Sequence, residues 1–304
     1  MQLQTNSSSG KAGLKVIFFI LFIIAAIGVL VYLVNHYFLQ RPVALKNPMT
    51  ILLIGEDSGS TAGAAGGGAE SFSRSDALVL AYLEPQRSKV SLVSVPNNCQ
   101  VNIPSVGLGP VSEAGARGGA LLVQQALESL TNTKIHHYLA VNYNGFIGFI
   151  DMIGGVEIDI QSKMYYTDRK GKYITGFEPG RQVLNGEKAL LYVRYRDHVT
   201  GEIGRINRQQ EFIKVLAQKA FRPGNIVDLV KLYNIFKQYT KTDLSAAEIL
   251  QLAKFLQNLK PGRDLEAYTL PGHLVQSFWQ PDLVAIDQLM IKLNPLKGNP
   301  EDLK

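Results

Sequence analysis

Nineteen consecutive residues without a charge, Val16 to Val34 (VIFFILFIIAAIGVLVYLV), constrain this chain more than any other feature. In α-helix they span about 28 Å, close to the hydrocarbon core of a bilayer. A cleaved secretory signal has a shorter apolar stretch that ends in small residues. Here Ala25 and Ala26 lie mid-run and no A-x-A site follows, so the run is expected to stay as an anchor. The short polar tail before it is expected in the cytoplasm, although Lys11 and Lys15 on one side are nearly balanced by Arg41 and Lys46 on the other. The expectation is a single-pass cell-membrane protein: a cytoplasmic tail over 1–15, a transmembrane helix over 16–34, a linker over 35–48, and the main domain outside the cytoplasm.

The rest of the 304 residues suits one globular domain of about 150–250 residues plus extras. Cys99 is the single cysteine, which excludes an internal disulfide, and it reads as a buried small hydrophobe. No His/Cys group has zinc-ligand spacing and no repeat is visible. The net charge of +6 raises the question of a nucleic-acid partner. No helix-turn-helix pattern is present and the expected topology places the domain outside, so no nucleic acid is expected.

Met49 to Gly55 (MTILLIG) reads as a strand buried on both faces, because it is apolar without alternation. Asp76 to Leu83 and Val90 to Pro96 read as a hairpin around EPQRSK. Gly59 to Ser71 is too small-sided to pack a core and reads as a loop. Further on, a helix is expected over Gly119 to Leu130, a strand over His137 to Tyr143, a helix over NGFIGFIDMI and a strand over Gly154 to Ile160. ALLYVRYR is expected as a strand and Ile203 to Phe221 as a helix. A helix near Asn225, one capped by Ser245 with Glu248, a strand over Leu265 to Leu270 and a helix over Asp282 to Leu293 complete the chain. Alternating strands and helices define an α/β fold with a central, mainly β-sheet flanked by helices. Residues 49–222 are expected as the main domain, and 223–304 as a helical extension packed on it.

The stretch LLYVRYRDHVTGEIGRINRQQ, Leu190 to Gln210, holds Arg194, Arg196, Arg205 and Arg208 around one short turn. In a strand, Arg194 and Arg196 share a face; in a helix, Arg205, Arg208 and Gln209 share another. A strand end and a helix start would then aim guanidiniums into one crevice, where open α/β sheets tend to bind ligands. Guanidinium forks match phosphate oxygens, and four of them suggest a diphosphate. The competing reading is a solvated basic face paired with Asp197, Glu202 and Glu211. Asp57 follows the first strand, and Arg74-Ser75-Asp76 opens the second. Paired aspartates beside a diphosphate suit Mg²⁺ or Mn²⁺, with Asp57 and Asp76 as ligands and Arg74 as a further phosphate contact.

The blocks SRSDALVLAYLEPQRSKVSLVSVP, NYNGFIGFIDMIGGVEIDI, GRQVLNGEKALLYVRYR and GEIGRINRQQ stand in one order over roughly residues 49–220. In that order they resemble the LytR–CpsA–Psr family. The resemblance implies a membrane-anchored, extracytoplasmic phosphotransferase that moves a glycopolymer from a polyprenyl pyrophosphate carrier onto peptidoglycan. It implies Mg²⁺ at the pyrophosphate and an apolar tunnel for the lipid. By position it implies that Asp57 and Asp76 lie near the metal and that Arg194, Arg196 and Arg205 bind pyrophosphate, with Arg208 and Gln209 in the matching helix. Asp57, when not bound to metal, is the expected acceptor of the incoming hydroxyl's proton.

Two positions depart from the family pattern. Asn97-Asn98 stands where the family has Arg-Asp, and Pro110 stands where it has a lysine. Arg117 is the candidate substitute in space. Each missing charge-assisted contact costs about 1.5–3 kcal/mol. The alternative expectation is therefore a catalytically attenuated polyprenyl-pyrophosphate binding protein of the same fold.

Overall fold

The computed structural model describes residues 45–56, 75–167, 173–197, 200–220, 236 and 238–293. The apolar run Val16–Val34, the Gly/Ala-rich loop, Asp57, Arg74 and the helix expected near Asn225 lie outside these residues. Among the described residues no helix is long and apolar enough to cross a membrane.

In chain order the strands are β1 (Met49–Glu56), β2 (Ser75–Glu84), β3 (Lys89–Val95), β4 (Gln100–Ile103) and β5 (Gly107–Pro110), followed by helix α1 (Val111–Thr131). Then come β6 (His137–Asn142), α2 (Tyr143–Met152), β7 (Val156–Ile160), β8 (Met164–Thr167), β9 (Tyr173–Phe177) and β10 (Gly180–Leu184). Helices α3 (Gly186–Arg194) and α4 (Gly201–Ala220) precede β11 (Thr240–Thr242), α5 (Ala246–Gln257) and the short α6 (Pro261–Asp264). The described chain closes with β12 (Leu265–Thr269), β13 (Gly272–Val275), β14 (Phe278–Pro281) and α7 (Leu283–Leu293).

Six strands form the central sheet in the order β11-β6-β1-β2-β3-β12. The β1/β6 and β3/β12 pairs are parallel and the others antiparallel. The stretch after residue 222 therefore supplies both edges of the sheet: β12, which the sequence predicts as a strand over Leu265 to Leu270, and β11, which lies in a stretch expected as helical. The uninterrupted hydrophobicity of β1 has its reason here. Ile51 and Leu53 face a core shared with α2, α3, α4 and α5, whereas Leu52 and Ile54 face a second core under α1 and α7. A strand between two helical layers has no face to spare for polar side chains. The capping box at Ser245 and Glu248 starts α5 as the sequence predicts.

Two expectations are corrected. ALLYVRYR is not a strand: Gly186–Arg194 is helix α3. Asn185 is extended and its side chain accepts a hydrogen bond from the Lys188 N–H at 3.0 Å, an N-cap that starts the helix. Gly186, Ala189, Leu190 and Val193 are the buried stripe at helical spacing. The apparent alternation of Leu191, Val193 and Tyr195 carried no such cap signal. The second correction is one of extent: the helix expected over Gly119 to Leu130 is there, but α1 reaches back to Val111 across a break at Gly118 and Gly119, the latter with φ 62°.

The turn into β7 carries a glycine that the packing requires. Gly155 has φ +74°, and a Cβ there would lie 2.7 Å from the Leu184 carbonyl oxygen of β10. Both the backbone region and the space exclude a side chain. Gly155→Ala is expected to destabilise the protein by about 2–4 kcal/mol, read from the midpoint of urea unfolding.

Candidate functional site

Helices α3 and α4 meet at a corner that holds Arg194 to Asp197 and Thr200 to Glu202. Arg194 ends α3, where a cation suits the negative end of the helix. Its guanidinium lies 5.5 Å from the centre of the Tyr143 ring, at the start of α2 and the carboxyl end of β6. Arg196 follows in the connection and Arg205 and Arg208 in the first turns of α4. Arg196 and Arg205 share Glu202 and Arg208 lies on Asp197, so these side chains come from a connection and a helix start rather than from a strand and a helix. Arg194 and Arg196 therefore do not share a strand face.

Glu202 organises one half of the corner. Its carboxylate pairs with Arg196 Nη2 at 2.6 Å and with Arg205 Nη2. Arg205 is fully buried, and its Nη2 also donates to Asn97 Oδ1 at 3.5 Å, just beyond β3. Arg208 organises the other half. Its Nη2 donates to the Tyr195 carbonyl at 2.7 Å, its Nη1 lies 3.5 Å from Asp197 Oδ2, and it stacks 5.3 Å from the Tyr195 ring centre. The Tyr195 ring meets Tyr166 edge-on, and the Tyr166 hydroxyl donates to the Leu191 carbonyl. Burial raises the Tyr166 pKa, while nearby Arg194 and Arg208 oppose the rise. Tyr166 is thus a neutral brace between the two arginines.

Three guanidiniums, of Arg196, Arg205 and Arg208, meet two carboxylates, Asp197 and Glu202, leaving positive charge in excess. The face is enclosed rather than solvated: only Arg196 exposes as much as a third of its side chain among the three paired arginines. Arg196 Nε and Arg208 Nε are buried and donate to no described atom, which leaves donor capacity for an anionic acceptor. Gln209 is turned away from that role. Its Nε2 donates to the Val193 carbonyl at 3.0 Å and ties α4 to α3. Glu211, the third carboxylate weighed against the arginines, has its carboxyl raised by burial and by Asp159, with Lys214 opposing.

Asn97 and Pro110, the two uncharged positions, share one wall. The Asn97 carbonyl accepts from the Ser112 N–H in the first turn of α1, and Pro110 is the residue just before that helix. Asn97 abuts Arg205 directly, so the lost charge lies inside the arginine corner. Arg117 is exposed and held by Glu113 of its own helix at 2.6 Å.

Asp57 and Arg74 lie outside the described residues. Asp76 sits in β2 beside a register shift where Glu56 pairs with Ser75. Among the described residues, no group of three or more His, Cys, Asp or Glu is placed to hold a metal. Two acids of the corner and floor were absent from the expected site. Glu202 was readable, because an acid three residues before an arginine on a helix faces it. The second is Glu56, which ends β1 and lies 3.4 Å from Lys241 Nζ of β11; burial raises its carboxyl pKa and Lys241 opposes the rise. No local pattern announces a pair 185 residues apart.

The chain matches the LytR_cpsA_psr family over residues 34–292. It is 30% identical over 210 residues to the Enterococcus faecalis polyisoprenyl-teichoic acid–peptidoglycan teichoic acid transferase TagU, covering 68% of this chain and 65% of that protein. The chain spans about half to two thirds of the length of the curated relatives it matches. The crystal structure of Bacillus subtilis TagV superimposes with a TM-score of 0.67 at 23% identity, covering 84% of this chain and 100% of that one. A structure of TagT bound to LIIa-WTA gives 0.64 at 22% identity, covering 82% and 91%. At these identities the two structures establish a shared fold. The match across most of the chain, on a fold of this topology, places the protein in the LytR_cpsA_psr family.

Proposed function

We propose that this chain is a membrane-anchored, extracytoplasmic phosphotransferase that moves a glycopolymer from a polyprenyl pyrophosphate carrier onto peptidoglycan or another cell-wall acceptor. The observation that carries the reading is the enclosed arginine corner, with cationic charge in excess and buried donors. The name of the Enterococcus faecalis relative, a teichoic acid transferase to peptidoglycan, supports it. So does the apolar run Val16–Val34, which would hold the domain beside a lipid-linked substrate.

In this reading the acceptor hydroxyl oxygen attacks the glycan-bearing phosphorus. The bond from that phosphorus to the bridging oxygen breaks, and polyprenyl phosphate leaves with the electron pair. The hydroxyl proton passes to a carboxylate, Asp57 when it is not bound to metal. Negative charge grows on the phosphoryl and leaving oxygens, where Arg194, Arg196 and Arg208 stabilise it without reorganising. Arg205 and Gln209 act from behind, holding Glu202 and α3 in place. The oxygen donors Asp57 and Asp76 suit Mg²⁺ or Mn²⁺, and the β1/β2 pairing sets Asp76 beside the strand end that leads to Asp57. Such a metal would add charge neutralisation at the pyrophosphate.

The uncharged Asn97 inside the corner favours a second reading, a lipid-pyrophosphate binding protein with little turnover. A transfer assay on a short-chain prenyl-pyrophosphate glycan, with and without Mg²⁺, separates the two when paired with mass spectrometry of co-purified lipid. Metal-dependent transfer is the expected result. Bound polyprenyl phosphate without turnover selects the second reading, and neither lipid nor turnover sinks both.

A further inference from the structure

We propose that the outer face of the β4–β5 and β13–β14 hairpins is a membrane-docking surface that seats the arginine corner at the headgroup layer of a lipid bilayer; this rests on the function proposed above. The two hairpins lie side by side. Cys99, one residue before β4, forms a parallel bridge with Trp279 of β14, and the Trp279 N–H donates to the Asn98 carbonyl at 3.0 Å. Cys99, Val101, Ile103 and Trp279 are all buried in the core under α1 and α7. Side chains alternate along a strand, so Asn102 and Phe278 belong to the outward row. Leu108 stands across from Asn102, and Val275 across from Phe278. Leu108 is 73% exposed, Leu274 59%, Val275 45% and Phe278 38%. The surface also lacks fixed charge. Asn97–Ser112 and Leu270–Pro281 contain no Asp, Glu, Lys or Arg, in a chain where 18% of residues are charged. Clustered apolar side chains without charge mark an interaction face and suit the boundary of headgroups and acyl chains.

Three observations select a bilayer as the occupant. The surface is continuous with the wall of the arginine corner: Asn98 Nδ2 donates to the Ser277 carbonyl in the β13–β14 turn at 2.7 Å, and its neighbour Asn97 accepts from Arg205. A pyrophosphate on a lipid carrier stays at the headgroup level, because its charge is too costly to bring into hydrocarbon. A corner that receives it comes to that level, together with the surface beside it. The chain outside the described residues is long enough to permit this. β3 runs in the same direction as β1, so the hairpins lie beyond the end of the sheet opposite Met49. The eight residues of β1 span about 26 Å. The ten residues between Val34 and Leu45 extend to about 35 Å, so an anchored domain can turn its strand ends toward the bilayer. Finally, the apolar run Val16–Val34 makes docking intramolecular. A tethered surface works at high effective concentration, and a few apolar side chains then suffice.

Trp279 is the single tryptophan of the chain and sits beside Phe278, so its emission reports on this hairpin. The test reconstitutes the full chain into vesicles of phosphatidylcholine and phosphatidylglycerol whose acyl chains carry bromine either next to the headgroup or at the chain end. At a docking depth of about 5–10 Å, bromine next to the headgroup is expected to quench most of the Trp279 emission and chain-end bromine little of it. Val275→Ser combined with Phe278→Ser is expected to remove most of that quenching at an unchanged melting temperature. Leu108→Ser, on the other hairpin, is expected to reduce it, and it decides the matter with the wild type if the double variant fails to fold. Unquenched Trp279 in protein that has entered the vesicles would overturn the docking surface. So would quenching that no variant changes. A dimer in detergent that the same variants dissociate, without quenching in vesicles, would give the face to a second copy of the chain instead. Protein that never enters the vesicles removes the anchored function proposed above, whereas protein that enters and stays unquenched removes the docking surface alone.

Discussion

Arg205→Met is expected to lower folding stability by about 3–5 kcal/mol, the cost of breaking a buried ion pair from one side. Among the described residues Arg205 is the largest fully buried side chain, and its partner Glu202 is itself only 13% exposed. Removing the guanidinium leaves one Glu202 oxygen and the Asn97 amide oxygen without their donor, and Arg196 alone then balances the carboxylate. Urea unfolding monitored by circular dichroism reads the loss. The double variant Arg205→Met with Glu202→Gln is expected to be more stable than the sum of the two singles by about 1 kcal/mol or more, because the residues share one interaction. A single variant within about 1 kcal/mol of wild type would mean that Arg205 is solvated in solution and belongs to the ligand instead.

Replacing both Arg194 and Arg196 with alanine separates binding from folding. These two arginines lie at the end of α3 and in the connection after it, and Arg196 is a third exposed. Each charge-assisted hydrogen bond to phosphate contributes about 1.5–3 kcal/mol. The double variant is therefore expected to lose about 10²–10⁴-fold in affinity for a prenyl diphosphate, at a melting temperature close to wild type. Arg181→Ala, on the well-exposed β10 side chain that faces Glu157, is the control and is expected to change neither. A double variant that binds as wild type would move the anion site out of the corner altogether. The two outcomes together would assign Arg205 to the fold around the site, and Arg194 with Arg196 to ligand binding.

Several elements were legible from local pattern because their causes are local. The apolar run of β1, the hairpin of β2 and β3, and the Ser245 capping box each depend on residues close in sequence. The arginine concentration was visible for the same reason. The secondary structure beneath it was not. Leu190, Val193 and their neighbours satisfy an alternating pattern almost as well as a helical stripe, and the Asn185 cap with the packing of Ala189 and Val193 decides for helix. That choice sets which arginines share a face.

The sequence by itself determined that this chain carries a long uncharged apolar run, a sheet strand buried on both faces, and four permanent cations within fifteen residues. Those properties belong to residue types and short-range spacing. Only the tertiary structure decided which cation is enclosed and which can reach a ligand. Burial of Arg205 depends on β3 delivering Asn97 against α4, a contact 108 residues apart. The Glu56–Lys241 pair depends on β11 returning to the sheet edge beside β6. Charge is written in the chain, but the solvation and partner that give each charge its role come from elements brought together by folding.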